Sequence, residues 1–324
     1  MMINPTTIKT WSKLGQSATF FGIAVPEIAV EKDNLRLLTA DVSLLSGLER
    51  FANKYPSKFL NVGIAEQNMI GIASGLAMEG ECVFATTYAC FIAVRSLEQI
   101  REHLSYLQCN VKIIGTSAGV VASRAGISHW ATEDIAFMRA LPNLIVMSPA
   151  DALEAYKMAI EAAKTDKPVY IRLSGNLNCP IVHHEDIDFE IGKAITLMKG
   201  TDVAIISTGL MVSESLNAAQ QLKEKGVSCS VIDMHTIKPL DLIVLKDAFD
   251  NHKLIVTVEE HNIIGGLGSA VAEYKATLAN SPRQIFFGIP DSFPASVGSQ
   301  KYIWNQVGIS AECITQRILK EYDK

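Results

Sequence analysis

Phe59-Leu-Asn-Val-Gly-Ile-Ala-Glu-Gln-Asn-Met-Ile-Gly-Ile-Ala-Ser-Gly-Leu-Ala77 decides how this chain is read. A short apolar run at 59–62 passes through Gly63 into a helical pattern spanning 65–78. Strand turning into helix is the unit from which parallel α/β sheets are built. The helix carries one carboxylate, Glu66, and the residues three, four and seven places on are Met69, Ile70 and Ala73. These share its face. A carboxylate in such company loses solvation, so its pKa is expected to rise unless a specific partner compensates. Perturbed carboxylates in clefts are candidate acid–base groups, while others only satisfy structural hydrogen bonds; the residues alone allow both readings. Gly71 and Gly75 remove side chains one turn apart, leaving room for another surface to approach the helix.

Outward from this segment, apolar runs at 35–40, 82–86, 111–116, 144–148 and 169–173 read as further strands. Helical patterns at 44–54, 91–107, 132–140 and 152–164 fall between them. Asp151 supplies an N-cap before one helix, and Leu141-Pro142 stops another. Around 176–192 the pattern lapses into Asn, Pro, His and Asp. A second alternation follows, with strands at 203–207, 228–232, 254–259 and near 285–287, and helices at 213–225, 240–249, 268–278 and from 310. The fold class is therefore α/β: two consecutive three-layer α/β/α domains with mostly parallel sheets. The expected division is a polar leader at 1–34, a first domain at 35–178, a linker at 179–193 and a second domain at 194–324.

Composition narrows the function classes. With 324 residues and 48% hydrophobic content, the chain can bury a large core. A net charge of −5 gives no basic footprint for nucleic acid. No apolar run is long enough to span a membrane, and no charged-then-apolar leader opens the chain, so a cytoplasmic location is expected. The six cysteines are dispersed without a C-x-x-C pair, which argues for reduced thiols and against a zinc site. The adjacent pair His183-His184 forms no metal site by itself and is expected to be solvated. Gly265-Gly-Leu-Gly268 follows a strand, but a loop intervenes and Val271 takes the third glycine position, so the match to a dinucleotide fingerprint is weak.

The segment Gly63-Ile64-Ala65-Glu66-Gln67-Asn68-Met69 closely resembles the pyrimidine-binding signature of transketolases and their deoxyxylulose-phosphate-synthase relatives. In that family the matching glutamate faces N1′ of the aminopyrimidine of thiamine diphosphate and manages its proton. The resemblance runs through most of the chain from about residue 35. It implies that Phe91 and Tyr88 pack on the pyrimidine, that Arg95 lies near the cofactor, and that Asp41 joins the cofactor-binding set. It also implies that His129, in Gly126-Ile-Ser-His129-Trp-Ala-Thr-Glu-Asp134, meets donor and intermediate near the reacting centre. The loop around Gly265 resembles a transketolase C-terminal segment that serves subunit contacts.

Two kinds of departure matter. An intact transketolase holds the diphosphate through Mg²⁺ on a Gly-Asp-Gly…Asn motif, and no Gly-Asp-Gly occurs here. The resemblance therefore implies the C-terminal half of a split transketolase. Its partner would be an N-terminal transketolase subunit carrying the Mg²⁺ and diphosphate site, in an α2β2 assembly sharing thiamine diphosphate. At the acceptor site, Ala125 replaces a sugar-contacting Asp, Ser117 replaces a phosphate-binding His, and Ser174-Gly175-Asn176 puts glycine where a clamp arginine stands. Glycine cannot supply the charge-assisted fork that binds phosphate. Arg172 and Arg124 remain as anion contacts, neither in the matching register.

The leading expectation is a subunit that moves a two-carbon ketol unit from a ketose to an aldehyde acceptor that is not a standard sugar phosphate. Glu66 and His129 would be catalytic. The alternatives are the β subunit of a 2-oxoacid dehydrogenase, a deoxyxylulose-type synthase using pyruvate, and a non-catalytic scaffold subunit. The first usually carries Cys-Glu-Gln-Gly where Ala65-Glu66-Gln67-Asn68 stands.

Overall fold

A computed structural model describes residues 3–42, 47–122 and 124–322. Two α/β sheets organise them. The first holds β1 (Leu35–Thr39), β2 (Phe59–Asn61), β3 (Cys82–Tyr88), β4 (Val111–Thr116), β5 (Ile145–Met147) and β6 (Val169–Arg172), together with β10 (Thr236–Lys238). The second holds β7 (Ile195–Met198), β8 (Val203–Ser207), β9 (Cys229–Asp233), β11 (Leu254–Asn262) and β12 (Arg283–Ile289). Their central strands are buried because helices cover both faces: β4 and β8 are buried throughout, Lys112 of β4 included. The strand order in the first sheet is β10-β5-β6-β4-β3-β1-β2, with β1 to β6 parallel. Its outermost strand, β10, arrives from the second half of the chain and pairs antiparallel with β5. The two halves thus share a sheet edge, which blunts that edge and fixes their relation.

The helices that position the site are α4 (Glu66–Met78), α5 (Ala89–Arg95), α6 (Asp134–Ala140) and α7 (Ala152–Lys164). The expected helix at 44–54 begins outside the described residues and is seen as α3 (Glu49–Lys54). The second half carries α8 (Met211–Glu224), α9 (Leu242–Asn251), α10 (Leu267–Lys275), α11 (Gln300–Val307) and α12 (Ala311–Tyr322).

Residues ahead of β1 are helical rather than a polar tail. Asn4 caps α1 (Pro5–Thr19) by accepting from the Thr7 N–H, and α2 (Val25–Glu31) follows a π-helical turn. Ile8 and Trp11 face inward three residues apart, and Trp11 packs on Tyr156 of α7 with ring centroids 4.6 Å apart. Phe20, Phe21 and Val25 are fully buried. Gln16 ties the helix down, donating to the Pro149 carbonyl and accepting from the Ser174 and Gly175 N–H groups at 2.9 and 2.7 Å.

One expectation is corrected here. His183 is not solvated: it is 5% exposed, whereas His184 lies at the surface. The segment carrying them has no regular structure but is pinned at Val182 and His183, whose N–H groups donate to Asp151, the N-cap of α7.

Candidate active site

Glu66 is the first residue of α4, where the field of the helix N-terminus favours a negative charge. Gly63 makes the approach possible, since its φ of 76° is a conformation side chains resist. Glu66 is 6% exposed, and the partner that compensates its burial is Arg95. Nη1 of Arg95 donates to Oε1 of Glu66 at 2.9 Å. The same guanidinium lies 3.9 Å from the centroid of the Phe91 ring. Gln67 then donates to the Arg95 carbonyl at 3.0 Å, so the start of α4 and the end of α5 clasp each other.

Tyr88 ends β3, Phe91 sits in the first turn of α5, and His129 ends a short 3₁₀ turn, Ile127–His129. They converge: ring centroids are 5.8 Å apart for Tyr88–Phe91, 5.3 Å for Phe91–His129 and 6.0 Å for Tyr88–His129. Ser128 Oγ lies 3.0 Å from Nδ1 of His129. These groups stand at the carboxyl ends of parallel strands, where α/β sheets bind ligands. Burial pushes the Tyr88 phenol up, and pushes the neighbouring Cys90 thiol up to about 12, which disfavours its thiolate. Glu66, Arg95, Phe91, Tyr88 and His129 are thus brought together.

Asp41 stands slightly apart. It ends the β1 edge in a left-handed conformation (φ 60°), and Oδ1 accepts from Asn61 at 2.9 Å while its N–H donates back to Asn61 Oδ1. Among the described residues no hydrogen bond joins it to Glu66 or Arg95. The pair Asp41–Asn61 braces the turn ahead of α4, because Asn61 Oδ1 also accepts from the Gly63 N–H.

The acceptor-site departures acquire physical reasons. Gly175 is packed under Gln16: a side-chain carbon there would lie 2.7 Å from the Gln16 amide carbon. An arginine there would have to displace Gln16 from its three hydrogen bonds. Arg172 is 2% exposed and fully committed, with Nε to Asp134 at 2.9 Å and Nη2 to the carbonyls of Ala131 and Glu260 at 3.0 and 2.7 Å. It cannot serve a substrate anion. Arg124 and Ala125 are exposed.

Sequence reasoning missed what positions His129. Asp134, at the start of α6, is buried and accepts from Tyr170 Oη at 2.6 Å as well as from Arg172. Arg172 in turn holds Ala131, and Ala131 bridges to Gly119. The loop bearing His129 is therefore anchored at its far end by a buried, charge-assisted network. Asp134 closes the same stretch of sequence as His129, but nothing local distinguishes a buried Asp from a helix cap.

The second domain presents a contrasting junction. Glu259, within β11, reaches into the N-terminus of α10 and accepts from the Leu267 and Gly268 N–H groups at 2.7 and 2.8 Å. A side chain on Gly266 would overlap this carboxylate. The anion position that a dinucleotide fingerprint offers is filled by the protein itself.

Two open grooves meet at Arg95, one lined by Ile64, Glu66 and Asn68, the other by Phe91, Val94, Ser128 and Phe293. Large apolar side chains rim them in the open: Ile64 is 77% exposed, Val94 60% and Phe293 67%. Residues 16–180 match the family of the transketolase pyrimidine binding domain, and residues 192–314 match that of the transketolase C-terminal domain. The chain belongs to the transketolase family. Among transketolase relatives, a subunit of the apulose-4-phosphate transketolase of Phocaeicola vulgatus is 37% identical over 91% of this chain and 93% of its own. A 6-deoxy-6-sulfo-D-fructose transketolase subunit of a Clostridium species is 36% identical over 90% of this chain and 89% of its own. A solved structure of a split gene transketolase, an inactive β4 tetramer, superposes with a TM-score of 0.87 at 38% identity, covering 95% of this chain and 98% of that one. The transketolase likeness therefore extends over nearly whole subunits, and among the described residues no helix is long and apolar enough to cross a membrane.

Proposed function

We propose that this chain is one subunit of a heteromeric transketolase that transfers a two-carbon ketol unit, acting only with an N-terminal partner subunit. The observation that carries the reading is the seat formed by Glu66, Arg95 and Phe91. A flat cation already lies on the Phe91 face and bonds to the buried Glu66 carboxylate. A protonated aminopyrimidine needs the same two contacts, an aromatic face and a carboxylate at its ring nitrogen. The residues present therefore fit thiamine diphosphate, with Phe91 and Tyr88 as packing surfaces, Glu66 at the pyrimidine and Arg95 moving aside or capping it. Thiamine diphosphate, when bound, supplies the nucleophilic carbon for ketol transfer.

This chain's own contribution is proton management and placement. Glu66 would hold or release a proton toward the pyrimidine from the helix terminus, its own carboxylate being nearly fully buried, which strengthens such an interaction. His129, held between Tyr88 and Phe91, handles hydroxyl protons of the sugar. No residue here matches the Gly-Asp-Gly motif for Mg²⁺ and diphosphate, so those would be held by the partner, in an α2β2 assembly. The exposed apolar rim and the open space over Gly71 and Gly75 support a partner surface on this face. The sealed Gly175 position and the committed Arg172 support an acceptor whose anionic group, if any, is not gripped by the usual first-domain clamp.

The test combines this chain with a subunit carrying Gly-Asp-Gly…Asn and compares hydroxypyruvate with pyruvate as donor. The pair consumes hydroxypyruvate in the presence of an aldehyde acceptor, and either subunit alone is silent. Preference for pyruvate would move the assignment to a deoxyxylulose-type or oxoacid enzyme. Full turnover by the isolated chain would refute partner dependence, and equal use of every standard sugar phosphate would refute the acceptor reading.

A further inference from the structure

The boundary between the two domains holds a cluster that the ketol-transfer site does not use. Glu154 comes from the first turn of α7, His183 from the inter-domain segment, and Asp233 from the end of β9. All three are buried, at 0%, 5% and 0% exposure. His183 Nε2 lies 3.7 Å from Glu154 Oε1 and 3.5 Å from Asp233 Oδ2. These separations exceed an N–H···O hydrogen bond, which falls at about 2.7–3.2 Å. They come near the edge of a tetrahedron around an ion whose ligands stand about 2.1 Å away, which is about 3.4 Å, and the three ligand atoms all lie within 4.8 Å of one another.

Beyond these long contacts the polar atoms are unmatched. Among the described residues, Glu154 Oε1, His183 Nε2 and both carboxylate oxygens of Asp233 have no hydrogen-bond partner. His235, two residues beyond Asp233, is also fully buried with Nε2 unpartnered. Ser207, the register partner of Asp233 on β8, has an unpartnered hydroxyl as well. Buried polar groups left unpaired are costly, more so when charged, so a fold seldom keeps such a set without an occupant. The chain that carries two of these groups is held in place. The other Glu154 oxygen accepts from the Ala150 N–H at 2.5 Å, and the His183 N–H is fixed by Asp151 at 2.9 Å.

We infer that Glu154, His183 and Asp233 form a structural site for one divalent transition ion of the Zn²⁺ class, which staples the first domain, the connecting segment and the second domain together. One imidazole with two carboxylates suits Zn²⁺ better than Mg²⁺, which demands octahedral oxygen ligation and keeps its waters. The inference stands apart from the ketol-transfer reading.

The test uses the full chain, purified without a histidine tag or chelator. Elemental analysis should find about one equivalent of transition metal per chain. Stripping with a chelator should lower the unfolding temperature, and adding Zn²⁺ should restore it. Co²⁺ added to the stripped chain should produce visible d–d bands of a low-symmetry site. His183→Ala and the near-isosteric Asp233→Asn should each lose those bands, with circular dichroism confirming that at least the second remains folded. A wild-type chain that is metal-free as isolated, and neither stabilised by Zn²⁺ nor coloured by Co²⁺, would overturn the site; the two carboxylates would then share a proton on His183. Co²⁺ bands that survive in folded Asp233→Asn would overturn it too, because the metal would be bound elsewhere.

Discussion

Each domain contains a strand, a glycine-bearing turn and a helix with a glutamate at the junction, yet the two junctions do opposite things. At the first, Glu66 belongs to the helix and points outward to Arg95, and Gly63, Gly71 and Gly75 have nothing packed against them. At the second, Glu259 belongs to the strand and plugs the helix N-terminus, with Gly266 pressed on its carboxylate. The comparison teaches that a helix N-terminus becomes a site only where the chain leaves it unfilled. The same residue types leave an open groove in one place and serve internal hydrogen bonding in the other.

The sharpest way to break this comparison is to neutralise each glutamate. Glu66→Gln should cut turnover of the reconstituted pair by about 10²–10⁴-fold while changing stability little, because its ion pair with half-exposed Arg95 is worth at most about 1 kcal/mol. Steady-state rates and urea unfolding on the same preparation check both halves. Glu259→Ala should do the reverse. It leaves two buried N–H groups without an acceptor, at about 1–3 kcal/mol each, so the urea midpoint should fall sharply while the cofactor seat keeps its geometry.

Burial raises Glu259 to about 7 despite the two N–H donors that pull it down. The folded chain therefore binds this proton more tightly than the unfolded chain, whose carboxyl titrates near 4.5. The contribution is fully present below that value and is lost as pH rises through about 7. Glu259→Gln should flatten that part of the stability profile, seen by comparing urea midpoints across the window.

Smaller effects sharpen the picture. Phe91→Ala should weaken thiamine diphosphate binding to the pair by about 2–10-fold, the worth of one aromatic contact, read from the cofactor dependence of the rate. Gly71→Ala should leave the isolated chain as stable or more stable by up to about 1 kcal/mol, since nothing lies within 4 Å of the new carbon. It should nevertheless weaken association with the partner, measured by titration calorimetry. Unchanged association would show that the partner does not pack on this face.

Much of the site was legible because its signals are local. Glu66 announces itself by its apolar helical company, and Phe91 and His129 by their places just after strands. The convergence of Tyr88, Phe91 and His129 follows once the strands β3 and β4 lie side by side, which the alternation implies. Other features had no local signal. α1 buries only Ile8, Trp11, Gly15, Gln16 and Thr19, and Gly15 interrupts it, so the periodicity there was too sparse to read. β7 and β10 are short edge strands whose existence depends on the neighbours they pair with.

By itself, the sequence determined the layered α/β architecture, the family resemblance and the candidate residues Glu66, Phe91 and His129, because periodicity and short motifs are properties of neighbouring residues. Only the tertiary structure decided that Gln16 seals Gly175, that Arg172 is spent on Asp134, and that His183 lies buried between Glu154 and Asp233. Each joins residues from about 30 to 160 positions apart, and at such separations packing rather than local pattern sets which groups meet.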